Sequence, residues 1–240
     1  MRFTTGSIIM IFCFVIAIVV HEASHGFIAN RLGDPTAKQQ GRITLNPLKH
    51  VDPFGTVILP LFLMFSGGFI FGYAKPVPYN PRYFKNLRVG EFLTGMAGPA
   101  SNLIMALIGV IVSRVIPLVM QTTPLFMANV PVAAAFIPEF AFLGPVTAGD
   151  WIVLCCYFFI LINLVLAFFN LIPLPPLDGA SIIALFLTNN AMRSYYRIQR
   201  YALPVLLVIM FVLPWVLGIN PIGEYLQATA GNITWWLFGF

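Results

Sequence analysis

Charge is what this 240-residue chain has least of: Asp, Glu, Lys and Arg together make up 9% of it, against 59% hydrophobic residues. A soluble domain carries about a quarter charged residues, so the composition excludes an ordinary water-soluble fold and reads as a polytopic membrane protein. Cysteine is nearly absent as well. Cys13, Cys155 and Cys156 all lie in apolar segments, which argues against a disulfide framework, and the adjacent pair lacks the spacing of a zinc knuckle. No internal repeat or low-complexity linker divides the sequence. Its length leaves room for one membrane domain, 1–240, and no sizeable soluble module. The net charge of +5 reports loop orientation in such a chain and gives no ground for a nucleic-acid partner.

Histidine is scarce too, with three in all, and two of them stand where they are least expected. His21 and His25 lie in an apolar run that begins near Ser7, in the stretch Val19-Val20-His21-Glu22-Ala23-Ser24-His25-Gly26. On a helix, positions i and i+4 share one face, so both imidazoles reach a single metal ion while Glu22 lies beside them. Two histidines and a carboxylate are costly in a bilayer core unless they have partners or a task. The pattern therefore points to a metal-dependent hydrolase working within or next to the lipid phase. A cleaved signal peptide is not expected, because cleavage would discard or expose these residues.

Apolar spans are expected at about 7–29, 92–117, 151–172 and 202–217. The segment 54–71 is apolar but interrupted by Gly55, Pro60, Gly67 and Gly68. The nearly uncharged, Pro-dotted stretch 121–149 reads as a loop with an interfacial piece. Arg31, Lys38, Arg42 and Lys49 precede the 54–71 segment, and Lys75, Arg82, Lys85 and Arg88 follow it. Were 54–71 to span, one basic stretch would lie outside, against the positive-inside rule, so a re-entrant path is expected. With the N-terminus outside, eleven of the thirteen Lys and Arg are cytoplasmic, leaving Arg2 and Arg114 outside. A fifth crossing by the Trp-rich tail 224–240 stays open. The fold class is all-α and polytopic, with about four to five transmembrane helices and a re-entrant or irregular element.

In this topology His25 nears the cytoplasmic end of the first span, and Asp178 follows the cytoplasmic end of the third. A catalytic zinc usually takes three protein ligands, so the third must be His50 or a carboxylate. Asp178 has the best context: Pro173, Pro175 and Pro176 prevent a regular helix, Gly179 allows an unusual backbone angle, and an extended chain would carry the acid at its tip. Plainer readings stand beside these. Asp178 also fits a turn before Gly179, Asn170 fits a polar group at a helix end, and His50 fits a loop. Gly95, Ala97 and Gly98 fit close helix packing, and Asn102 fits a hydrogen bond across helices that holds the site together.

His21-Glu-Ala-Ser-His25 in a first span, paired with Asn170-Leu-Ile-Pro-Leu-Pro-Pro-Leu-Asp178-Gly179 in a later one, resembles the site-2 protease family of intramembrane zinc metalloproteases. Gly98-Pro-Ala-Ser-Asn102 resembles that family's middle motif, and the stretch from Arg42 to Gly55 resembles its compact microbial members without PDZ or CBS domains. The resemblance implies that His21, His25 and Asp178 hold one Zn2+, that Glu22 is the general base, and that Asn170 binds substrate or stabilises the oxyanion. It also implies a small membrane-dipping β element near 75–79 that presents the substrate as an added strand. The expected activity is zinc-dependent endopeptidase cleavage in or next to transmembrane helices of other membrane proteins. The expected location is a microbial cell membrane, with the active site nearer the cytoplasm. Two other classes are weighed against this: a metal-binding transporter, which one cluster at one depth without a repeat disfavours, and an inactive binder of transmembrane helices, which would have no need of Glu22.

Overall fold

The computed structural model describes residues 5–58, 74–120 and 148–238. Nine α-helical segments are found among them: α1 Thr5–Arg31, α2 Thr36–Gln39, α3 Leu87–Met120, α4 Ala148–Leu171, α5 Ala180–Phe186, α6 Asn189–Leu207, α7 Leu213–Leu217, α8 Pro221–Leu226 and α9 Asn232–Phe238. Within α1, α3 and α4, Ile8–Arg31, Leu87–Val115 and Trp151–Leu171 are long and apolar enough to cross a membrane. The 24 residues of the first reach about 36 Å at 1.5 Å per residue, more than the hydrocarbon thickness.

The fourth expected span takes a different form. Asn190–Gln199 and Tyr201–Leu217 form a pair bent by 55°. Pro204 accounts for the break, since it cannot donate to the carbonyl of Arg200 and its ring crowds that carbonyl. A π-helical turn, Val208–Val212, follows. Among the described residues no single helix of the tail is long enough to count as a span; α8, the π-helical turn Gln227–Gly231 and α9 pack along α4, seating Ala230 and Phe238 in its core.

α1, α3 and α4 pack on one another and build the interior. Cys13, Ala106, Val153, Leu154, Tyr157, Ile160, Leu161 and Leu164 form its apolar centre. A Cβ on Gly109 would come within 2.8 Å of Ile160, so this position on α3 has to be small for α4 to approach. Lipid-exposed helices gain little from apolar burial against each other, and small residues with buried amides hold them together instead.

Helix α1 ends in a Schellman turn. Gly33 sits in the left-handed region at φ 106°, its N–H donates to the carbonyl of Asn30, and Asp34 N–H donates to that of Ala29. Asp34 is thereby folded inward and fully buried, accepting from Thr36 N and Asn80 N at 2.9 and 2.6 Å. It pins the stretch 74–80 to the end of α1. Arg42, also buried, donates through Nη2 to the carbonyls of Lys75 and Pro76, and Lys75 N donates to the carbonyl of His50. At the start of α3, buried Glu91 accepts from the hydroxyls of Tyr79 and Tyr196, tying the same stretch to α6. Burial, and after it the Glu91 carboxylate, holds the Tyr79 phenol far above its ordinary pKa, so it remains a donor.

No paired strand is found among the described residues, and 74–80, which includes the expected β element at 75–79, is irregular chain. Side chains take the hydrogen bonds that a partner strand would take, and Pro76 and Pro78 have no N–H to offer. The re-entrant path expected for 54–71 lies outside the described residues apart from the π-helical turn Pro53–Ile58. The loop expected at 121–149 lies outside them but for the first residues of α4.

Candidate metal centre

His21 and His25 lie one turn apart on the face of α1 that meets α3, with ring centroids 4.7 Å apart and planes at 77°. Asp178 comes to them from the turn between α4 and α5. His21 Nε2 lies 3.0 Å and His25 Nε2 3.3 Å from Asp178 Oδ2, and one donor atom from each residue falls within 4.8 Å of the others. This is the one group of three such residues that converges among the described residues.

The turn that delivers Asp178 is not an extended segment. It is a chain of bends in which Leu174 N donates to Ile172, Leu177 N to Leu174 and Gly179 N to Asn170, the last at 2.6 Å. Prolines at 173, 175 and 176 cannot donate, so the remaining N–H groups close short loops with their neighbours. Gly179 has ordinary right-handed angles, φ −58° and ψ −21°. Glycine is required there for space: a Cβ would lie 2.3 Å from the carbonyl oxygen of Leu171. Gly179→Ala is therefore expected to push the turn off the end of α4, costing about 1–3 kcal/mol of stability. Thermal unfolding in detergent checks the stability, and zinc titration checks the accompanying loss of affinity.

The imidazole protons can be assigned from their partners. His25 Nδ1 is 2.7 Å from the carbonyl of Thr94, which can only accept, and His21 Nδ1 is 2.5 Å from Asn102 Oδ1. Both Nδ1 atoms therefore carry a hydrogen, so that in the neutral imidazole form that binds a metal each Nε2 presents its lone pair toward Asp178. Asp178 Oδ2, although close to two nitrogens, is a buried acceptor with no hydrogen-bond partner. Two lone pairs and a carboxylate oxygen converging in a buried place repel one another, and a divalent cation turns that repulsion into coordination. Two imidazoles and one carboxylate suit zinc and leave a fourth position free. The donor set fits the ion.

Gly98 fits it as well. The sequence gives this residue a helix-packing role, yet a Cβ on it would lie 2.4 Å from His25 Nε2 and 2.5 Å from His21 Nε2. Gly95 does the packing: a Cβ there would meet Ser181 Oγ at 2.4 Å, so its absence lets α5 and the Asp178 turn come against α3.

Glu22 stands beside the donors with Oε2 accepting from Val77 N at 3.0 Å. Asn170 is not drawn into the cluster by its side chain, whose Nδ2 donates to the Leu166 carbonyl at 2.9 Å. Its main-chain carbonyl does hold Gly179, next to Asp178. His50 is buried but donates through Nε2 to the Thr44 carbonyl at 2.9 Å, away from the donors, as a loop residue would. Asn102 does bond across helices. Several polar residues that frame the site were not assigned a role from sequence: Asp34, Arg42, Glu91, Thr94 and Asn163. Their shared signal is a polar group at a buried position in a chain with few such groups, which becomes visible only when burial is known. An open groove of about 340 Å³ runs along another face of α1, lined by Val20, Ala23, Ser24 and Phe27 and by Ile43, Thr44 and Leu45; none of the three donors lines it.

Comparison with known proteins agrees with the chemistry of this donor set. The family model described as peptidase family M50 matches residues 9–213. YwhC of Bacillus subtilis, provisionally named a zinc metalloprotease, is 35% identical over 216 residues, covering 90% of this chain and 82% of that protein. Rip2 of Mycolicibacterium smegmatis, named in the same provisional way, is 26% identical over 238 residues, covering 95% of this chain and 80% of its own. Rip2 of Mycobacterium tuberculosis is 24% identical over 209 residues, covering 85% and 68%. No solved structure matches. With its donor set carried on membrane-length helices and the family model spanning most of its length, the chain belongs to peptidase family M50, the site-2 protease family, and is a zinc-dependent metalloendopeptidase of the membrane.

Proposed function

We propose that this enzyme cleaves peptide bonds in or next to transmembrane helices of other membrane proteins, acting as one membrane-embedded unit over 1–240. The observation that carries the proposal is the position of His21 and His25 within the Ile8–Arg31 span, with Asp178 brought to them from the end of another span. A catalytic centre at that depth meets substrates that are themselves in the bilayer.

His21, His25 and Asp178 would hold a zinc ion through Nε2, Nε2 and a carboxylate oxygen. The ion, when bound, supplies a Lewis acid that activates water and polarises the scissile carbonyl. Glu22 takes the proton from the attacking water and returns it to the leaving amine. Its Oε2 is held by Val77 N, which leaves Oε1 as the oxygen for this exchange. Asn170, tied to the Asp178 turn by its own carbonyl and giving one amide hydrogen to Leu166, offers the other to the carbonyl oxygen of the substrate. Basic residues after α1, Lys38, Arg42 and Lys49, favour a cytoplasmic location for that end of the helix in a microbial cell membrane, and water reaches the site from there.

A helical substrate hides its peptide groups in its own hydrogen bonds, so cleavage needs local unwinding. Purified enzyme should cut single-span substrates that carry Gly, Pro or Asn near the scissile bond faster than all-Leu helices of equal length, by at least about tenfold. Chelation should stop both reactions. Equal rates on soluble, unstructured peptides and on membrane helices would overturn the intramembrane assignment.

A further inference from the structure

The two imidazoles are oriented by different means. His25 Nδ1 donates straight to a main-chain carbonyl, that of Thr94, whose polarity cannot change. His21 Nδ1 meets a side-chain amide, Asn102, and an amide can present either its oxygen or its NH2. Two acceptors set the orientation of Asn102, and the nearer of them lies on a third helix. Asn102 Nδ2 donates to Asn163 Oδ1 at 2.8 Å, and also toward the Ala17 carbonyl at 3.4 Å. Asn163 in turn donates through Nδ2 to the carbonyl of Phe159 at 2.8 Å. That carbonyl can only accept, so it sets the Asn163 amide, which sets the Asn102 amide, which sets His21 with its hydrogen on Nδ1 and its lone pair on Nε2. Asn102 and Asn163 are both fully buried among apolar side chains, where an unpaired amide is costly and water is not at hand to substitute.

We propose that Asn163 on α4 is a positioning residue for the metal centre, acting through Asn102 to hold His21 in its metal-binding tautomer and ring orientation. The proposal rests on the reading of His21 as a zinc ligand. It is distinct from helix packing in what it forbids: a residue at 163 that fills the space but cannot accept a hydrogen bond removes the shorter of the two bonds that keep the Asn102 NH2 turned away from His21.

The test is a zinc-affinity measurement by chelator competition on detergent-purified protein. Asn163→Leu should weaken zinc binding by about 10- to 100-fold, the usual effect of losing an outer partner of a histidine ligand. Asn163→Asp, which in its neutral form accepts from Asn102 and donates to Phe159, should stay within about threefold of the wild type, a tolerance well below that usual loss. The decisive comparison is in an Asn102→Asp background. Asp presents oxygen at both ends, so His21 no longer depends on amide orientation, and adding Asn163→Leu should then cost little affinity. The zinc-dependent rise in melting temperature should shrink for Asn163→Leu alone, whereas a purely structural loss would lower the metal-free and zinc-bound forms equally. Equal losses from Asn163→Leu in both backgrounds, or unchanged affinity in the single variant, would overturn the relay. Should Asn163→Leu not fold, loss of zinc by Asn163→Asp to the level of His21→Ala would overturn it as well. A His21→Ala variant that binds zinc like the wild type would instead overturn the assignment of His21 as a ligand.

Discussion

Gly98→Ala is expected to abolish zinc binding and all cleavage while leaving the helices intact. The added methyl carbon would sit 2.4–2.5 Å from both Nε2 atoms, in the space where their lone pairs converge with Asp178. The rings cannot swing aside without giving up hydrogen bonds to Thr94 and Asn102, each buried. Alanine is otherwise the better helix residue by about 0.5–1 kcal/mol, so the substitution should not weaken α3 itself. Metal analysis should fall from near one zinc per chain to near none, with far-UV circular dichroism unchanged. Full zinc content in this variant would mean that the ion is held elsewhere.

Glu22→Gln should separate chemistry from binding. Glutamine keeps the length of the side chain, and its amide oxygen can still accept from Val77 N, so the 74–80 stretch stays docked. What is lost is a group able to take a proton from water. Cleavage of a membrane-helix substrate should drop by about 10²- to 10⁴-fold, the usual share of a general base, with zinc content as in the wild type. Glu22→Ala should go further and loosen the Val77 contact, raising KM in addition to lowering kcat. Wild-type cleavage by Glu22→Gln would remove Glu22 from the mechanism. Loss of zinc along with activity would make Glu22 a ligand and not a base.

Much of the site was legible in the chain itself, for a reason particular to membranes. In a chain 9% charged, a histidine pair and a carboxylate in an apolar run stand out, because apolar surroundings are where polar groups cost most. The same contrast pointed to Asp178 in a Pro-rich turn. Asn163 escaped notice although it too lies in an apolar span. A single amide is tolerated there for many reasons, and its link to His21 runs through another helix 61 residues away in sequence. The role of Gly98 was hidden for a different reason: a missing side chain leaves no mark of what occupies its space. The backbone of the Asp178 turn was misread because prolines exclude a helix without choosing between an extended chain and consecutive bends.

By itself the sequence determined the membrane class, the long apolar helices and the histidine pair His21 and His25 as candidate ligands, since each follows from local composition and spacing. Only the tertiary structure decided that Asp178, 153 residues beyond His25, closes the donor set. It also decided that Gly98 leaves the space between the donors open, and that the bent pair Asn190–Gln199 and Tyr201–Leu217 and the tail packed on α4 differ from simple spans. Those outcomes depend on which helix faces which, and helix contacts in a membrane are chosen by small residues and buried amides at particular positions, which local hydropathy does not encode.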